Sequence, residues 1–159
     1  MTQAILVQNL VKKYGSLTAV DDISFSVGQG DVFGILGPNG AGKTTTLEIL
    51  EGLMKPTNGI TQVLGMDSHR DSAKIKARIG VQLQASAYFN YLNLREILEL
   101  FGRFYKKRLN PAELLEMVGL AEKADVTVGK LSGGQQQRFA IAASLINDPE
   151  VVFLDEPTT

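Results

Sequence analysis

The segment GPNGAGKT, residues 37–44, constrains the fold more than any other part of this chain of 159 residues. It fits the pattern G-x-x-x-x-G-K-[ST] without a mismatch. An apolar run at 31–37 precedes it, and the helical spacing of Leu47, Leu50 and Met54 follows it. A strand, a glycine-rich turn and a helix in this order predict a phosphate loop at the carboxyl end of a strand buried on both faces.

Each residue type in this phosphate loop has a physical reason. Gly37, Gly40 and Gly42 let the backbone N–H groups come close to phosphate oxygens, and the following helix N-terminus adds the positive end of its dipole. Lys43 supplies a charge for the β- and γ-phosphates, and Thr44 offers a hydroxyl to Mg²⁺. We therefore predict that the loop binds a nucleoside triphosphate with Mg²⁺.

A second apolar run, VVFLDE at 151–156, ends in two carboxylates. A buried strand with Asp155 at its carboxyl end suits a Mg²⁺ ion held through water beside a phosphate loop. The adjacent Glu156 can orient or deprotonate an attacking water. Such a run is also typical of a plain strand end, but after a phosphate loop in the same chain it favours an ATPase.

Further strands are predicted at 4–15, at 20–27 and at 78–84, the last ending at Gln84. Strands that alternate with helices indicate an α/β fold. Apolar residues also recur on one side of a helix predicted after residue 132, and that stripe consists of Phe139, Ala142, Ala143 and Ile146.

Three helix starts are marked by capping residues. Asn93, Asn110 and Ser132 each precede a Glu or Gln by three residues, and Pro111 stands at the first helical position of the second helix. The first two helices follow one another with no strand between them. This arrangement indicates an inserted helical subdomain.

Tyr14, the phosphate loop, Gln84, LSGGQQQR at 131–138 and VVFLDEP at 151–157 together resemble the ATP-binding-cassette (ABC) ATPases. Order and spacing agree from about residue 4 to the last residue. Around Gln84 the sequence looks most like bacterial exporter subunits of the drug-resistance and nodulation kind. We refer to residues 131–135, LSGGQ, as the signature turn.

The resemblance implies a P-loop NTPase cassette of α/β class, with a mixed or parallel core sheet and N-terminal antiparallel strands. One domain would cover residues 1–159, with a helical subdomain at about 85–145 that includes the signature turn. The family continues beyond the point where EPTT stands here, so the resemblance also implies a cassette truncated at its C-terminus. We expect weak ATP binding and slow turnover from such a chain, and we expect His69 to be an ordinary surface residue.

The resemblance assigns nucleotide contacts to residues of the phosphate loop, the signature turn and the first strand: Tyr14, Gly37, Pro38, Asn39, Gly40, Ala41, Gly42, Lys43, Thr44, Thr45, Ser132, Gly133, Gly134 and Gln135. Tyr14 would stack on adenine, and the signature turn would bind the γ-phosphate held by an opposite subunit. Two plainer interpretations stay open: Tyr14 as a strand-edge tyrosine, and the signature turn as a Ser-capped helix start.

The resemblance also assigns the metal and the chemistry. Thr44, Gln84 and Asp155 would hold Mg²⁺, and Glu156 would act as catalytic base, with Gln84 contacting the attacking water. Composition alone equally allows Gln84 to be a polar residue that ends a strand.

The implied function is that of the ATP-binding and ATP-hydrolysing subunit of an ABC transporter, which energises export of a small molecule by ATP-driven dimerisation. Its cofactors would be ATP and Mg²⁺. Its partners would be a second cassette, in a homodimer or heterodimer, and transmembrane permease subunits on a separate chain. No window approaches the roughly 18 consecutive apolar residues of a membrane span. The first lysines follow a short apolar run instead of preceding it, which does not fit a secretory signal, so we expect a cytoplasmic protein. The resemblance implies that it is peripheral on the inner face of the membrane, through the permease subunits.

Two alternatives remain: a soluble ABC-type ATPase that acts on ribosomes or nucleic acid, and an inactive truncated remnant. The basic cluster Lys106, Lys107 and Arg108 is too short and too lacking in interleaved aromatics to indicate nucleic acid, and it is more typical of a solvated helix end. The phosphate loop and the signature turn are close in sequence with no heptads between them, which disfavours chromosome-type ATPases.

Overall fold

A computed structural model describes residues 3–82 and 88–154, and the chain divides into two units, Met1–Lys76 and Ala77–Thr159. The first unit contains the phosphate loop, and the second contains the signature turn. Three residues of the predicted site, Gln84, Asp155 and Glu156, lie outside the described residues.

The first unit is built on a four-stranded antiparallel sheet in the order β2-β1-β3-β4. Its strands are β1 (Gln3–Tyr14), β2 (Leu17–Gly28), β3 (Asn58–Val63) and β4 (Met66–Asp67). The two long N-terminal strands and their antiparallel pairing are confirmed. Val7, Leu10 and Val63 are buried at 1% exposure or less, so one face of this sheet carries the core of the unit.

Two helices complete the first unit, α1 (Lys43–Leu50) and α2 (Ser72–Lys76). The helix predicted after the glycine-rich turn is present, and it begins at Lys43, within the phosphate loop, but it ends at Leu50 and excludes Met54. The reason is Gly52, whose φ of 70° is left-handed and allows a glycine C-cap. The N–H of Leu53 donates to the carbonyl of Glu48 at 2.9 Å, which completes the capping motif.

The prediction of a buried strand at 31–37 is wrong for this structure. The segment has no regular secondary structure, and Val32 and Leu36 are 103% and 94% exposed. A buried strand needs hydrogen-bonded neighbours, and none of the strands described in either unit pairs with this segment. Within this segment, the ring of Phe33 stacks on that of Phe25, with ring centroids 5.1 Å apart.

The second unit combines a helical cluster with two parallel strands. Its elements are β5 (Ile79–Val81), α3 (Leu94–Gly102), α4 (Pro111–Met117), two short 3₁₀ turns (Ala121–Lys123 and Val128–Lys130), α5 (Gly133–Ser144) and β6 (Val151–Phe153). Strands β5 and β6 pair in parallel, with Ile79 opposite Val151. The strands predicted at 78–84 and 151–156 are therefore present as short pieces, and the fold class is confirmed as mixed α/β.

The predicted helix starts of the second unit are confirmed. Asn93 and Ser132 each form a complete capping box, with Glu96 and Gln135 as their partners. Asn110 caps α4 through the N–H of Ala112 rather than that of Glu113. Capping satisfies helical N–H groups that would otherwise lack a partner, so these positions fix where each helix begins.

The core of the second unit is formed where the three helices meet. The predicted stripe of α5 is buried: Phe139, Ala142, Ala143 and Ile146 are exposed by 7% or less. Leu94, Ile97 and Leu98 of α3 and Leu114 and Leu115 of α4 pack in the same cluster. The apolar spacing along each helix thus positions the signature turn at the free end of a well-packed helix.

Candidate functional site

The phosphate loop adopts a conformation that only glycine accommodates at two positions. Gly40 and Gly42 have φ values of 81° and 82°. A Cβ added to Gly42 would overlap the carbonyl oxygen of Ala19 and lie 3.1 Å from Cγ2 of Val20. Gly42 is thus required both by its left-handed backbone and by the close approach of β2.

Lys43 turns back over the phosphate loop. Its ammonium donates hydrogen bonds to the carbonyl oxygens of Gly37 at 2.8 Å and Pro38 at 3.0 Å. The N–H of Ala41 also donates to the carbonyl of Pro38, at 3.2 Å. Residues 37–41 are exposed. The loop therefore presents a positive charge and the N-terminus of α1 at the surface, an arrangement suited to an anion.

Three consecutive threonines open α1 and differ in their surroundings. Thr44 is exposed and Thr45 is partly buried, whereas Thr46 is buried. The hydroxyl of Thr46 donates to the carbonyl of Gly42 at 2.8 Å, which ties the end of the loop to the helix. The sequence analysis did not single out Thr46, although threonine commonly bonds the carbonyl four residues earlier.

Tyr14 lies at the end of β1 with 45% of its surface exposed. Its hydroxyl contacts Sδ of Met54 at 2.7 Å, and the Lys12 ammonium lies 4.9 Å from its ring centroid. Lys12 also donates to the carbonyl of Lys55 at 2.9 Å. The ring is therefore held in one place at the surface of the first unit, where an aromatic face can stack on a ligand.

In the signature turn, Ser132 and Gln135 hydrogen-bond to each other, and the two glycines between them are exposed. The N–H of Ser132 donates to Oε1 of Gln135 at 2.9 Å, and the N–H of Gln135 donates to Oγ of Ser132 at 3.4 Å. Gly133 and Gly134 are exposed, and a Cβ on either would meet nothing within 4 Å. Nothing described inside the chain requires glycine here, so the backbone at the start of α5 is accessible from outside.

Two side chains that the sequence analysis did not single out hold the signature helix in place. Gln136 donates through Nε2 to the carbonyls of Val128 at 3.3 Å and Leu131 at 3.2 Å. Arg138 donates to the carbonyl of Val118 at 3.1 Å. Both belong to the run LSGGQQQR at 131–138, and their contacts fix α5 to the loops that precede it.

The two parallel strands of the second unit precede Gln84, Asp155 and Glu156, the three predicted site residues that lie outside the described ranges. The N–H of Gln82 continues the ladder, donating to the carbonyl of Phe153 at 3.0 Å. At the other end of the pair, Arg78 forms a two-point ion pair with Glu150, with contacts of 2.6 and 2.8 Å. Hydrogen bonding to Arg78 lowers the pKa of the Glu150 carboxyl, and the same bond raises the pKa of Arg78.

The end of α5 packs closely on β5. A Cβ on Gly80 would overlap the carbonyl oxygen of Ser144, and the amide of Asn147 donates to the carbonyl of Ile79 at 2.8 Å. The helix that begins at the signature turn is therefore locked at its far end to the strand that precedes Gln84.

Within residues 3–82 and 88–154, no helix is long and apolar enough to cross a lipid bilayer. The same ranges contain no cluster of three or more acidic or histidine side chains arranged to bind a metal. His69 is exposed, as expected of a surface residue.

Comparison with known proteins places the chain among cassette ATPases. Residues 20–159 match the ABC transporter family. The daunorubicin resistance ATP-binding protein DrrA2 of Streptomyces coeruleorubidus is 44% identical over 161 residues, which cover 98% of this chain and 50% of that protein. The Nod factor export ATP-binding protein I of Ralstonia nicotianae is 43% identical, over 99% of this chain and 51% of that protein.

The chain thus spans about half the length of the curated relatives it matches. Among solved structures, a dimeric ATP-binding cassette in a post-hydrolysis state with ADP and Pi superposes with a TM-score of 0.84 at 31% identity. That match covers 97% of this chain and 74% of the solved one. The resemblance to exporter ATP-binding subunits is confirmed, and the chain belongs to the ABC transporter family.

Proposed function

We propose that this chain is the ATP-binding and ATP-hydrolysing part of an ABC exporter subunit. The observation that carries the proposal is the phosphate loop, in which Lys43 holds its ammonium at the carbonyls of Gly37 and Pro38 beside the start of α1. A lysine in this position is able to leave the carbonyls and pair with phosphate oxygens.

ATP is the substrate, and the exposed N–H groups of the phosphate loop bind its phosphates together with Lys43. Asn39 lies within this loop and Thr45 follows it, and both are proposed to contact the nucleotide. The Tyr14 ring is the proposed platform for adenine, since it is exposed and held by Met54 and Lys12. The left-handed Gly40 and Gly42 fit a loop that must wrap closely around an anion.

Mg²⁺ is the proposed cofactor, and when bound it supplies a divalent charge for the phosphate oxygens. Thr44 fits this role because it is exposed on the first turn of α1, whereas Thr46 is buried and its hydroxyl is hydrogen-bonded to the carbonyl of Gly42. Gln84 and Asp155 are the other proposed ligands. They follow β5 and β6, and neighbouring parallel strands end at one edge of a sheet.

Glu156 is the proposed catalytic base, which takes a proton from the attacking water, and Gln84 is proposed to orient that water. The carboxylate follows Asp155 directly, so the two acids have separate tasks in this proposal. Their supporting strand, β6, is anchored by the Arg78–Glu150 ion pair and by the ladder to β5.

The signature turn is proposed to bind the γ-phosphate of ATP held by a second cassette. Ser132, Gly133, Gly134 and Gln135 lie at the exposed start of α5, a helix of 12 residues. The glycines have no steric reason inside the described chain, and bare backbone permits an external anion to approach the helix N-terminus. Dimerisation would then depend on ATP, and hydrolysis would release the partner.

The relatives' names support a role in export, since they describe a daunorubicin resistance ATP-binding protein and a Nod factor export ATP-binding protein. We propose export of a small molecule through transmembrane permease subunits on a separate chain. The cassette, as a homodimer or heterodimer, would lie in the cytoplasm against the inner face of the membrane. This role involves no nucleic acid.

The test is light scattering of the chain carrying Glu156→Gln, with and without ATP and Mg²⁺. Removal of the proposed base should trap the ATP-bound dimer, so we expect a doubling of mass only with ATP. Lys43→Ala in the same background should abolish this shift. A monomer in the presence of saturating ATP would contradict the proposal.

A matched pair of variants isolates the signature turn. Gly134→Asp places a carboxylate where the γ-phosphate is proposed to bind, whereas Gly129→Asp makes the same change at another exposed glycine with open surroundings. Gly134→Asp should abolish ATP-dependent dimerisation, and Gly129→Asp should leave it intact. Circular dichroism should show both variants folded.

A further inference from the structure

The connection between α3 and α4 combines unpaired positive charge with an exposed aromatic ring. Residues 103–108, RFYKKR, which we call the basic loop, contain four cations and no acidic residue. Lys107 is paired with Asp148, but Arg103, Lys106 and Arg108 form no ion pair within the described parts of the chain. All three residues are exposed. Arg103, Lys106 and Arg108 therefore carry charge that no ion pair among the described residues neutralises.

The basic loop borders a cavity of about 230 Å³ in the second unit. Its lining residues are Leu98, Glu99, Arg103, Arg108, Pro111 and Ile146. Two arginines and one glutamate thus line a cleft whose other lining residues are apolar. Guanidinium pairs are well suited to a phosphate group, because each offers several N–H donors in a fixed plane.

The basic loop is attached to the elements beside this cleft. The side chain of Arg108 lies across Gly102, where an added Cβ would be only 3.1 Å from Arg108 Cδ. The N–H of Leu109 donates to the carbonyl of Ile146 at 2.8 Å, which fastens the loop to the end of the α5 region.

Phe104 adds a second feature of the same surface. Its ring lies between Arg103 and Lys106 in sequence and is 76% exposed. An exposed aromatic ring among cations fits the boundary between lipid headgroups and acyl chains. Basic residues are in turn attracted to the negative surface of acidic membranes.

We propose that the basic loop binds the headgroup of an acidic phospholipid. Arg103 and Arg108 donate to the lipid phosphate, Phe104 enters the interface, and Lys106 contacts neighbouring headgroups. The Glu99 carboxylate in the cleft accepts a hydrogen bond from a headgroup hydroxyl, so phosphatidylglycerol is the preferred class. This contact uses neither ATP nor a permease, and it gives the protein its own attachment to the membrane.

The test is flotation of the 159-residue chain with vesicles, in the absence of nucleotide. We expect binding to mixed phosphatidylglycerol–phosphatidylcholine vesicles, no binding to phosphatidylcholine alone, and loss of binding as salt screens the charges. Each basic residue at an acidic membrane contributes about fivefold to partitioning, so Arg103→Gln with Arg108→Gln should lower it about 30-fold.

A control pair separates this site from general charge. Lys123→Gln with Lys130→Gln removes the same charge from two exposed residues of the second unit, and it should change partitioning by less than about threefold. Phe104→Ser should weaken vesicle binding without removing the preference for phosphatidylglycerol. Circular dichroism of each variant checks that the fold is kept.

Three outcomes would overturn the proposal: no binding to acidic vesicles, equal losses in both charge-matched pairs, or binding of inorganic phosphate through the two arginines without vesicle binding. The last would assign the cleft to a free anion instead of a lipid. None of these results depends on ATP-driven dimerisation, so the proposed function stands or fails separately.

Discussion

Two glycine-rich turns open helices in this protein, and their glycines are needed for different reasons. In the phosphate loop, Gly42 has a left-handed backbone and no room for a Cβ next to Ala19. In the signature turn, Gly133 and Gly134 have ordinary backbone angles and open space around them. The first turn is shaped by contacts inside the chain, whereas no described contact inside the chain requires the glycines of the second.

The two turns also differ in how they satisfy their own polar groups. Lys43 satisfies loop carbonyls with a charged side chain, and that bond is exposed and exchangeable. Ser132 and Gln135 satisfy each other in a neutral capping box. We infer that loss of the first arrangement mainly affects nucleotide binding, and loss of the second mainly affects the start of a helix.

The sharpest test of this comparison exchanges one glycine in each turn. Gly42→Ala should lower the free energy of unfolding by about 3 kcal/mol, because it adds strain at a positive φ and a clash with Ala19. Gly134→Ala should be neutral or stabilising by up to about 1 kcal/mol, since alanine favours a helix. Urea denaturation measures both, and equal losses would break the comparison.

A second test separates binding from stability in the phosphate loop. Lys43→Ala should lower the affinity for ATP by about 10- to 100-fold, the range for losing charge-assisted hydrogen bonds. Its stability should change little, because the contacts to Gly37 and Pro38 are exposed. Isothermal titration with ATP and Mg²⁺ measures the affinity, and Lys55→Ala, at an exposed lysine of the same unit, is the control. Unchanged affinity would remove Lys43 from the proposed site.

A third test compares how each turn is fastened to its helix. Thr46→Val keeps the shape of the side chain and removes its hydrogen bond to Gly42, so we expect a loss of about 1 kcal/mol. Ser132→Ala removes a helix cap and should cost about the same. Thermal unfolding followed by circular dichroism gives both values. A much larger loss for Ser132→Ala would show that the signature turn is as dependent on internal contacts as the phosphate loop.

The smallest expected effect is an acid sensitivity of the second unit. Arg78 lowers the pKa of Glu150, so this ion pair stabilises the fold above the unfolded carboxyl pKa, and the contribution is lost as pH falls through the folded one. Both side chains are exposed, so the gain is below about 1 kcal/mol. Wild type and Glu150→Gln should differ at neutral pH and converge in acid. A constant difference across this range would exclude titration of Glu150 as its cause.

Local signals predicted much of this fold from the sequence. Capping residues such as Asn93 and Ser132 act within one turn of chain, and the structure has helices that begin there. The phosphate loop was equally readable, because its glycines and Lys43 carry their reason in a short motif. The contact of Gly42 with Ala19 was not, since the two residues meet only after β2 has folded.

Signals that depend on distant partners were less reliable. The apolar run at 31–37 predicted a buried strand, yet burial requires neighbouring strands, and no described strand pairs with it. In strand β3, by contrast, a polar residue is buried. Its buried face includes Thr61, whose hydroxyl is hydrogen-bonded to Oγ of Ser68 at 2.6 Å, and this bond satisfies the polar group inside the core. Apolar pattern therefore misjudges both a strand without partners and a polar pair inside a core.

The hydrogen bonds of Lys43 make the phosphate loop its own competitor. In the proposed site, an arriving triphosphate would replace the carbonyls of Gly37 and Pro38 as partners of the ammonium, so binding would be an exchange and not a simple addition. Affinity then reflects the difference between two sets of bonds. Substitutions that merely reorient those carbonyls can strengthen or weaken nucleotide binding without touching the nucleotide. We therefore expect the affinity of this loop for a nucleotide to respond to small changes in its backbone.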